Sequence, residues 1–225
     1  MKQLLLTLGL VLTTYSAFGL APDAPTSSKA AAPAAANSDA AKPQAKPANN
    51  EPPGTGPIIS PQVRVVTSMG SFTLELNAER APLTVANFLK YVDQGHYSGT
   101  IFHRAISNFV IQGGGFDTDY KQKPAPTKVV NESGNGLTNQ RGTLGMARSP
   151  EPHSSDSQFY VNLNDNEALD PNKTRWGYAV FGKVIQGMEV VDQIGNVATG
   201  ARGPFKEDAP LKPVVIERIE RVTNP

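Results

Sequence analysis

The sequence predicts a mainly β fold, an antiparallel barrel or a sandwich, in the part of the chain that follows residue 61. Three observations predict it. Short apolar runs recur between Gly-rich and Asn-rich turns. One of these runs alternates apolar with polar residues, as a half-buried strand does. Only two segments have the apolar spacing of a helix. Many short strands with few helices are typical of both architectures, and no internal repeat is visible.

The first elements follow one another closely. Residues 63–76, VRVVTSMGSFTLEL, predict two strands, because apolar and polar residues alternate through the second half. Residues 81–97, APLTVANFLKYVDQGHY, predict a helix, because apolar residues recur at i, i+3, i+4 and i+7 from Val85 onward. Pro82 suits the start of this helix and Gly95 suits its end.

The rest of the chain predicts more strands and one further helix. Residues 187–196, GMEVVDQIGN, predict a second, shorter helix. Residues 212–222, KPVVIERIERV, predict a closing strand. The short apolar runs between the two predicted helices are Ile101-Phe102, Phe109 to Ile111, Gly142 to Ala147, Gln158 to Leu163 and Tyr178 to Val184.

Composition excludes several classes of function. Lys and Arg number 21 against 20 for Asp and Glu, so the chain lacks the basic excess expected of a nucleic-acid partner. Cysteine is absent, which excludes disulfides, thiolate catalysis and Cys-ligated zinc. The absence of cysteine does not identify a compartment.

The N-terminal residues 1–21, MKQLLLTLGLVLTTYSAFGLA, have the order of a secretory signal peptide. Lys2 precedes an apolar run, and small residues follow up to Ala21. The alternative is an uncleaved membrane anchor, but the apolar run is shorter than the roughly 18 residues that a spanning helix needs. We therefore expect a periplasmic or secreted protein after cleavage.

Residues 22–61 are mostly Ala, Pro, Ser, Asn and Lys, and they predict a disordered tether. Such a composition buries too little apolar surface to offset the entropy of ordering, and the prolines interrupt any helix that the alanines favour. A cell-wall or partner-binding arm is the alternative. The folded domain is expected at residues 62–225.

Two segments hold the candidate site: residues 102–116, FHRAISNFVIQGGGF, and residues 141–170. They combine apolar residues with one cation, Arg104, and one amide, Gln112. An apolar cup with these groups at its rim suits a neutral ligand that bears amides, such as a peptide. The alternative is that Arg104 is an ordinary surface charge and the aromatics are core. The apolar residues are Phe109, Val110, Met146, Ala147, Phe159, Tyr160 and Leu169.

Other chemistries are poorly supported by the sequence. No serine lies in a Gly-x-Ser-x-Gly turn that would accompany a hydrolase triad. A metal site would need clustered ligands, whereas His96 and His103 are seven residues apart across a turn and no cluster of acids accompanies them. His103 is expected to be structural, orienting backbone or Arg104. The glycines at 113–115 lack the Lys-Ser/Thr of a phosphate loop and instead predict close backbone approach or positive φ. No metal and no cofactor are expected.

Four segments resemble the signature runs of the cyclophilins, which are peptidyl-prolyl cis-trans isomerases that bind cyclosporin. They are FHRAISNFVIQGGGF, GTLGMAR, SQFYVNL and GYAVFGKVIQGMEVVDQI. The resemblance extends from Val63 to Val222. Together with the signal peptide, these motifs resemble those of the bacterial periplasmic subgroup of the family. It implies a closed eight-stranded antiparallel barrel capped by two helices, with the site in a groove on the outer face.

The resemblance also implies the roles of individual residues. Catalysis falls to Arg104, together with Gln112 and Phe109. Gln112 also contacts the peptide backbone. The implied partners are proline-containing unfolded or partly folded polypeptides, bound by a monomer. The implied floor of the proline pocket is Phe109, Val110, Tyr160 and Leu169, and Ala147 is implied to contact the peptide backbone. Phe159, from the apolar surface described above, and Tyr178 complete the predicted substrate-binding set.

This sequence departs from the family pattern at several of these places. Val110 replaces a methionine, and Ser107-Asn108 replaces Pro-Gly. Tyr160 replaces the more usual phenylalanine, which is expected to add a hydroxyl at the pocket. Ala168 stands where many eukaryotic members have a tryptophan, so weak cyclosporin binding is expected.

Overall fold

A computed structural model describes residues 60–222. The expected signal peptide, residues 1–21, and residues 22–59 of the expected tether lie outside the described residues. Within residues 60–222, neither helix is long and apolar enough to cross a membrane.

The described residues form a closed antiparallel barrel of eight strands, which confirms the fold class. Around the barrel the strand order is β1-β10-β3-β4-β6-β5-β7-β2, while β8 and β9 form a separate hairpin. The strands are β1 Gln62–Thr67, β2 Gly70–Leu76, β3 Thr100–Ile106, β4 Val110–Asp117, β5 Thr143–Met146, β6 Phe159–Asn162, β7 Val180–Gln186, β8 Thr199–Arg202, β9 Phe205–Pro210 and β10 Val214–Arg221.

Both predicted helices are present, α1 at Pro82–Asp93 and α2 at Met188–Gly195. Helix α1 begins at a proline, whose missing N–H costs nothing in the first turn. Its other early N–H groups are capped from a distant loop, where the Glu132 carboxylate accepts hydrogen bonds from the backbone N–H groups of Leu83 and Thr84. A negative charge at this end of a helix also interacts favourably with the helix dipole.

Aromatic side chains fill the barrel and anchor α1 on it. Phe88 of α1 packs edge-on against Phe159 and at a tilt against Phe181, with ring centroids 5.5 and 5.3 Å apart. Phe102 of β3 meets Phe159 edge-on at 6.1 Å. All four rings are fully buried. Because side chains occupy the interior, a ligand has to bind on the outer surface.

The glycines at 113–115 lie inside β4 and serve close packing, in line with the prediction. A Cβ at Gly113 would lie 2.9 Å from the Phe102 ring, and one at Gly114 would lie 2.8 Å from the Tyr97 ring. Gly114 also has a φ of +86°, which L side chains rarely adopt.

The β8–β9 hairpin is the element that the sequence did not predict. Residues 199–210, TGARGPFKEDAP, carry glycines, prolines and charges, all of which are depleted in strands. The hairpin depends on tertiary contacts instead. Phe205 packs against the rings of His103 and Phe116, with centroids 5.2 and 5.0 Å apart.

Candidate active site

Strand pairing places the central polar residues in one row across the outer face of the barrel. Arg104 of β3 pairs with Gln112 of β4, Gln112 pairs with Tyr160 of β6, and Tyr160 pairs with Gly145 of β5. Directly paired residues project from the same face of a sheet. The register therefore brings together a cation, an amide and an aromatic ring that are up to 56 residues apart in the sequence (160 − 104).

The Arg104 side chain is 40 % exposed, and its one polar contact within residues 60–222 is an ion pair. Its Nε lies 3.7 Å from Oδ2 of Asp208, and the side chain makes no hydrogen bond in that range. A guanidinium carries five N–H donors in a planar fork. The terminal Nη groups therefore remain available to a ligand.

Gln112 lies beside Arg104 and is held by a second amide. Its Nε2 donates a hydrogen bond of 3.2 Å to Oε1 of Gln158. This bond fixes which way the Gln112 amide is turned, and it leaves the carbonyl oxygen of Gln112 and one N–H for a peptide ligand.

An apolar cup separate from the barrel core adjoins this row. Val110, Ala147 and Tyr160 are its buried centre, and they are distinct from the cluster that fills the barrel. The half-buried side chains around them are Phe109, Leu169 and Tyr178. The structure thus brings six of the predicted residues into one surface cluster.

Phe159 is a correction to the predicted set, because it lies in the barrel core with 0 % of its surface exposed. Successive residues of a strand point to opposite faces. Tyr160 of β6 faces the cup, so Phe159 must face inward, where it packs against Phe88 and Phe102. Met146, which the sequence placed in the same apolar surface, is also core.

The Tyr160 hydroxyl does not open into the cup, contrary to the expectation of an added polar group at the pocket. It is buried and donates a hydrogen bond of 2.6 Å to Oδ1 of Asn139. Burial raises the pKa of Tyr160 well above its ordinary value, with a smaller contribution from Tyr178. Gly145 makes room for the ring, since a Cβ there would collide with it.

Asn139 links this hydroxyl to the wall of the cup. Its side-chain Nδ2 and its backbone N–H both donate to Oδ1 of Asp170, at 2.7 and 2.8 Å. Asp170 directly follows the 3-10 turn Glu167–Leu169, whose last residue is the Leu169 of the cup. The network therefore holds Leu169 relative to Tyr160.

Arg148 is a second cation that the sequence analysis did not single out. Its guanidinium carbon lies 4.6 Å from the centre of the Tyr178 ring. Its N–H groups donate to the backbone carbonyls of Gly177 and Trp176, and to those of residues 149 and 150. These bonds use most of its donors, so Arg148 braces the cup wall. The sequence feature that could have identified Arg148 is its position directly after Ala147, a predicted substrate-binding residue.

A wider polar cavity of about 500 Å³ continues from the cup. Ala147 belongs to the cup and also lines this cavity, together with Gln112 and Gln158, so a peptide in the cup would extend into it. An ion pair between Lys128 and Asp156, 2.8 Å apart, lies in its wall.

His103 is a buried, uncharged ring in this structure. Burial is the main cause that lowers its pKa from 6.5 to about 4, and the neighbouring Arg104 charge adds to the effect. The ring stacks on Phe205, and within residues 60–222 its Nδ1 has no hydrogen-bond partner. His103 therefore packs the hairpin against β3 and carries no positive charge near neutral pH. Within residues 60–222, no group of three His, Asp or Glu side chains lies close enough together to hold a metal ion.

Comparison with known proteins identifies close relatives of the chain. The family model described as cyclophilin type peptidyl-prolyl cis-trans isomerase/CLD matches residues 62–221. Peptidyl-prolyl cis-trans isomerase A of Dickeya dadantii is 48% identical over 165 residues, which cover 73% of this chain and 86% of the relative. An isomerase of Streptomyces antibioticus is 53% identical, over 69% of this chain and 95% of the relative.

Solved structures agree with the described fold. A cyclophilin-type peptidyl-prolyl cis-trans isomerase of Cryptosporidium parvum superposes with a TM-score of 0.61 at 27% identity, covering 74% of this chain and 99% of that one. A second structure of that protein, determined in the presence of the dipeptide Ala-Pro, gives a TM-score of 0.59 at 28% identity, over 72% of this chain and 99% of that one.

Proposed function

Because the chain belongs to the cyclophilin-type peptidyl-prolyl cis-trans isomerase family, we propose that its isomerase activity depends on Arg104 and assists the folding of exported polypeptides. The observation that carries the mechanism is the row formed by Arg104, Gln112 and Tyr160 beside the apolar cup. This arrangement supplies a cation, an amide and a ring-sized apolar surface to one ligand.

The chemistry required is rotation about a partial double bond. Resonance gives the peptide C–N bond a barrier of roughly 18–20 kcal/mol. For an X-Pro bond the two isomers are close in energy, yet uncatalysed exchange takes tens to hundreds of seconds. A catalyst of this reaction needs no nucleophile and no cofactor. It has to bind the twisted bond better than either planar isomer.

Arg104 is proposed to supply that differential binding. As the bond twists, the proline nitrogen loses conjugation, becomes pyramidal and gains a lone pair. A guanidinium N–H aimed at this lone pair interacts more strongly with the twisted state than with the planar amide. A guanidinium is a permanent cation, and the Nη groups of Arg104 have no hydrogen-bond partner within the described residues.

The apolar cup is proposed to hold the proline ring, so that rotation moves the other side of the bond. Phe109, Tyr160 and Leu169 offer apolar contact of the size of a pyrrolidine ring. The Cryptosporidium parvum relative was crystallised in the presence of Ala-Pro, and this supports a dipeptide-sized ligand for the present chain. Excluding water from the cup would also strengthen the interaction with Arg104.

Gln112 is proposed to bind the substrate backbone. Its hydrogen bond to Gln158 turns the amide so that one N–H and the carbonyl stay unpaired within the described residues. A peptide offers a matching acceptor and donor on either side of the proline. Gln112 thereby fixes the register of the chain in the groove.

A proline-peptide isomerase assay tests the activity and the mechanism together. We expect the full-length protein to accelerate isomerisation of a slow X-Pro peptide in a protease-coupled assay, and Arg104→Ala to lose most of that acceleration. Arg64→Ala is the matched control, because Arg64 is an exposed arginine on β1. Binding of the peptide without turnover would instead indicate a recognition module.

The proposed role in export rests on residues 1–21, which have the features of a signal peptide. Mass spectrometry of the protein from fractionated cells tests it. We expect a mature N-terminus near residue 20 or 22 in the periplasmic or secreted fraction. An intact Met1 in the cytoplasmic fraction would contradict the export role without affecting the catalytic proposal.

A further inference from the structure

We propose that Asp208, on the β8–β9 hairpin, is a positioning residue that holds the Arg104 guanidinium in place for catalysis. Asp208 Oδ2 lies 3.7 Å from Arg104 Nε, and no other ion pair or hydrogen bond reaches this guanidinium from residues 60–222. The inference rests on the proposed catalytic role of Arg104. It gives a function to a hairpin that contributes no strand to the barrel.

The contact is made through the side of the guanidinium that catalysis does not need. Asp208 faces Nε, so the two Nη groups are left for the substrate. The two side chains are 40 % and 32 % exposed, and an ion pair of that exposure contributes little to folding stability. A long arginine side chain loses rotamer entropy when it is held in one orientation. The effect of Asp208 is therefore to restrict Arg104 before the substrate arrives.

The backbone of Asp208 supports a positioning role. Its φ is 60°, in the left-handed region, where only two other non-glycine residues of the described range lie, Asn108 and Tyr120. Aspartate is among the non-glycine residues that adopt this region most readily. At position 208 the contacts of the hairpin hold the backbone there, and such positions cluster at functional sites.

The surrounding contacts that impose it lie on both sides of Asp208. Three residues earlier, Phe205 stacks on His103, the residue directly before Arg104. Two residues later, the backbone carbonyl of Pro210 accepts a hydrogen bond of 3.3 Å from the Tyr120 hydroxyl. The hairpin is thus fastened to β3 and to the loop after β4, the elements that carry or adjoin Arg104 and Gln112. A site residue mounted on packed elements in this way keeps its geometry.

The variant Asp208→Asn tests the role of the charge. Asparagine has nearly the same shape and also tolerates positive φ, so the hairpin is expected to fold as before. We expect kcat to fall about three- to tenfold with little change in KM, because an interaction made in the transition state has been weakened. Glu207→Gln is the matched control, since it removes one acid from the adjacent, exposed residue. We expect its kcat/KM to remain within about twofold of the parent.

A double-mutant cycle separates positioning from a general structural effect. Lysine at position 104 keeps the charge but has no Nε, so Asp208→Asn is expected to add no further loss in the Arg104→Lys background. The Arg104 Nε–H signal in NMR spectra is expected to move in Asp208→Asn and to stay in place in Glu207→Gln. An equal loss in both backgrounds, or an unmoved Nε–H signal, would overturn the proposal.

The result also separates this inference from the proposed function. If Arg104→Ala is nearly inactive while Asp208→Asn matches Glu207→Gln, the positioning role is wrong and the catalytic role of Arg104 stands. If Arg104→Ala retains the parent rate, the catalytic proposal fails and the positioning proposal fails with it.

Discussion

Tyr160→Phe removes one buried hydrogen bond from beneath the cup and is expected to lower the free energy of unfolding by about 1 kcal/mol. The lost bond is the 2.6 Å contact from the Tyr160 hydroxyl to Asn139 Oδ1. An acceptor left with no donor would cost up to about 3 kcal/mol. Asn139 Oδ1 retains a second donor, Nδ2 of Asn162 at 3.2 Å, so the smaller figure applies.

Urea denaturation at equilibrium measures this difference. For small proteins the slope is about 1–3 kcal/mol per molar urea, so the midpoint is expected to fall by about 0.5 M. Tyr178→Phe is the control, because the Tyr178 hydroxyl makes no hydrogen bond within residues 60–222; we expect its midpoint to stay within about 0.2 M of the parent. Equal midpoints for the two variants would refute the Tyr160–Asn139 network.

Three further predictions concern pH, inhibitors and a drug. The free energy of unfolding is expected to fall as the pH drops from 6.5 toward 4, because His103 in the unfolded chain binds a proton at its ordinary pKa, whereas burial lowers the pKa of the folded ring to about 4. Urea midpoints measured across that pH range test this, and a flat profile would contradict it. Isomerase activity is expected to survive EDTA, thiol reagents and serine-directed acylating agents, since no metal, cysteine or serine has a proposed role. Complete loss of activity with the chelator would contradict this and indicate a metal-dependent step. Cyclosporin is expected to bind at least about tenfold more weakly than it binds family members with tryptophan at this position, and Ala168→Trp is expected to recover part of that affinity, because an indole adds apolar area and an N–H donor beside Leu169. Tight inhibition of the unmodified protein would contradict this.

Local sequence patterns were sufficient for the elements whose burial is regular. The helix from Pro82 has one apolar face, and the alternate apolar residues Phe72, Leu74 and Leu76 of β2 all lie in the barrel core, so periodicity located both. Closure into eight strands was implied by the resemblance alone, because periodicity does not distinguish a barrel from a sandwich. The β8–β9 hairpin gave no such signal, since its conformation depends on Phe205 reaching the rings of His103 and Phe116.

Residues of the candidate site that lie within one sequence motif could be predicted from the sequence. Residues that only the fold brings to the candidate site were missed. Arg104 and Gln112 lie in one run of sequence, and the pairing of β3 with β4 places them side by side. Phe159 was misassigned because an apolar run was treated as a single surface, although neighbouring strand residues face opposite ways. Asp208 is 104 residues from Arg104 (208 − 104), and nothing in its local sequence pointed to that contact.

The central claim is that Arg104 stabilises the twisted X-Pro bond more than it stabilises the bound planar peptide. Two quantities measured on Arg104→Ala test it most directly: kcat/KM in the isomerase assay, and the Kd of a proline peptide from an NMR titration. We expect kcat/KM to fall at least about tenfold, or about 1.4 kcal/mol of transition-state stabilisation, while Kd changes by less than about twofold. An unchanged rate, or a loss of rate matched by an equal loss of binding, would contradict the account.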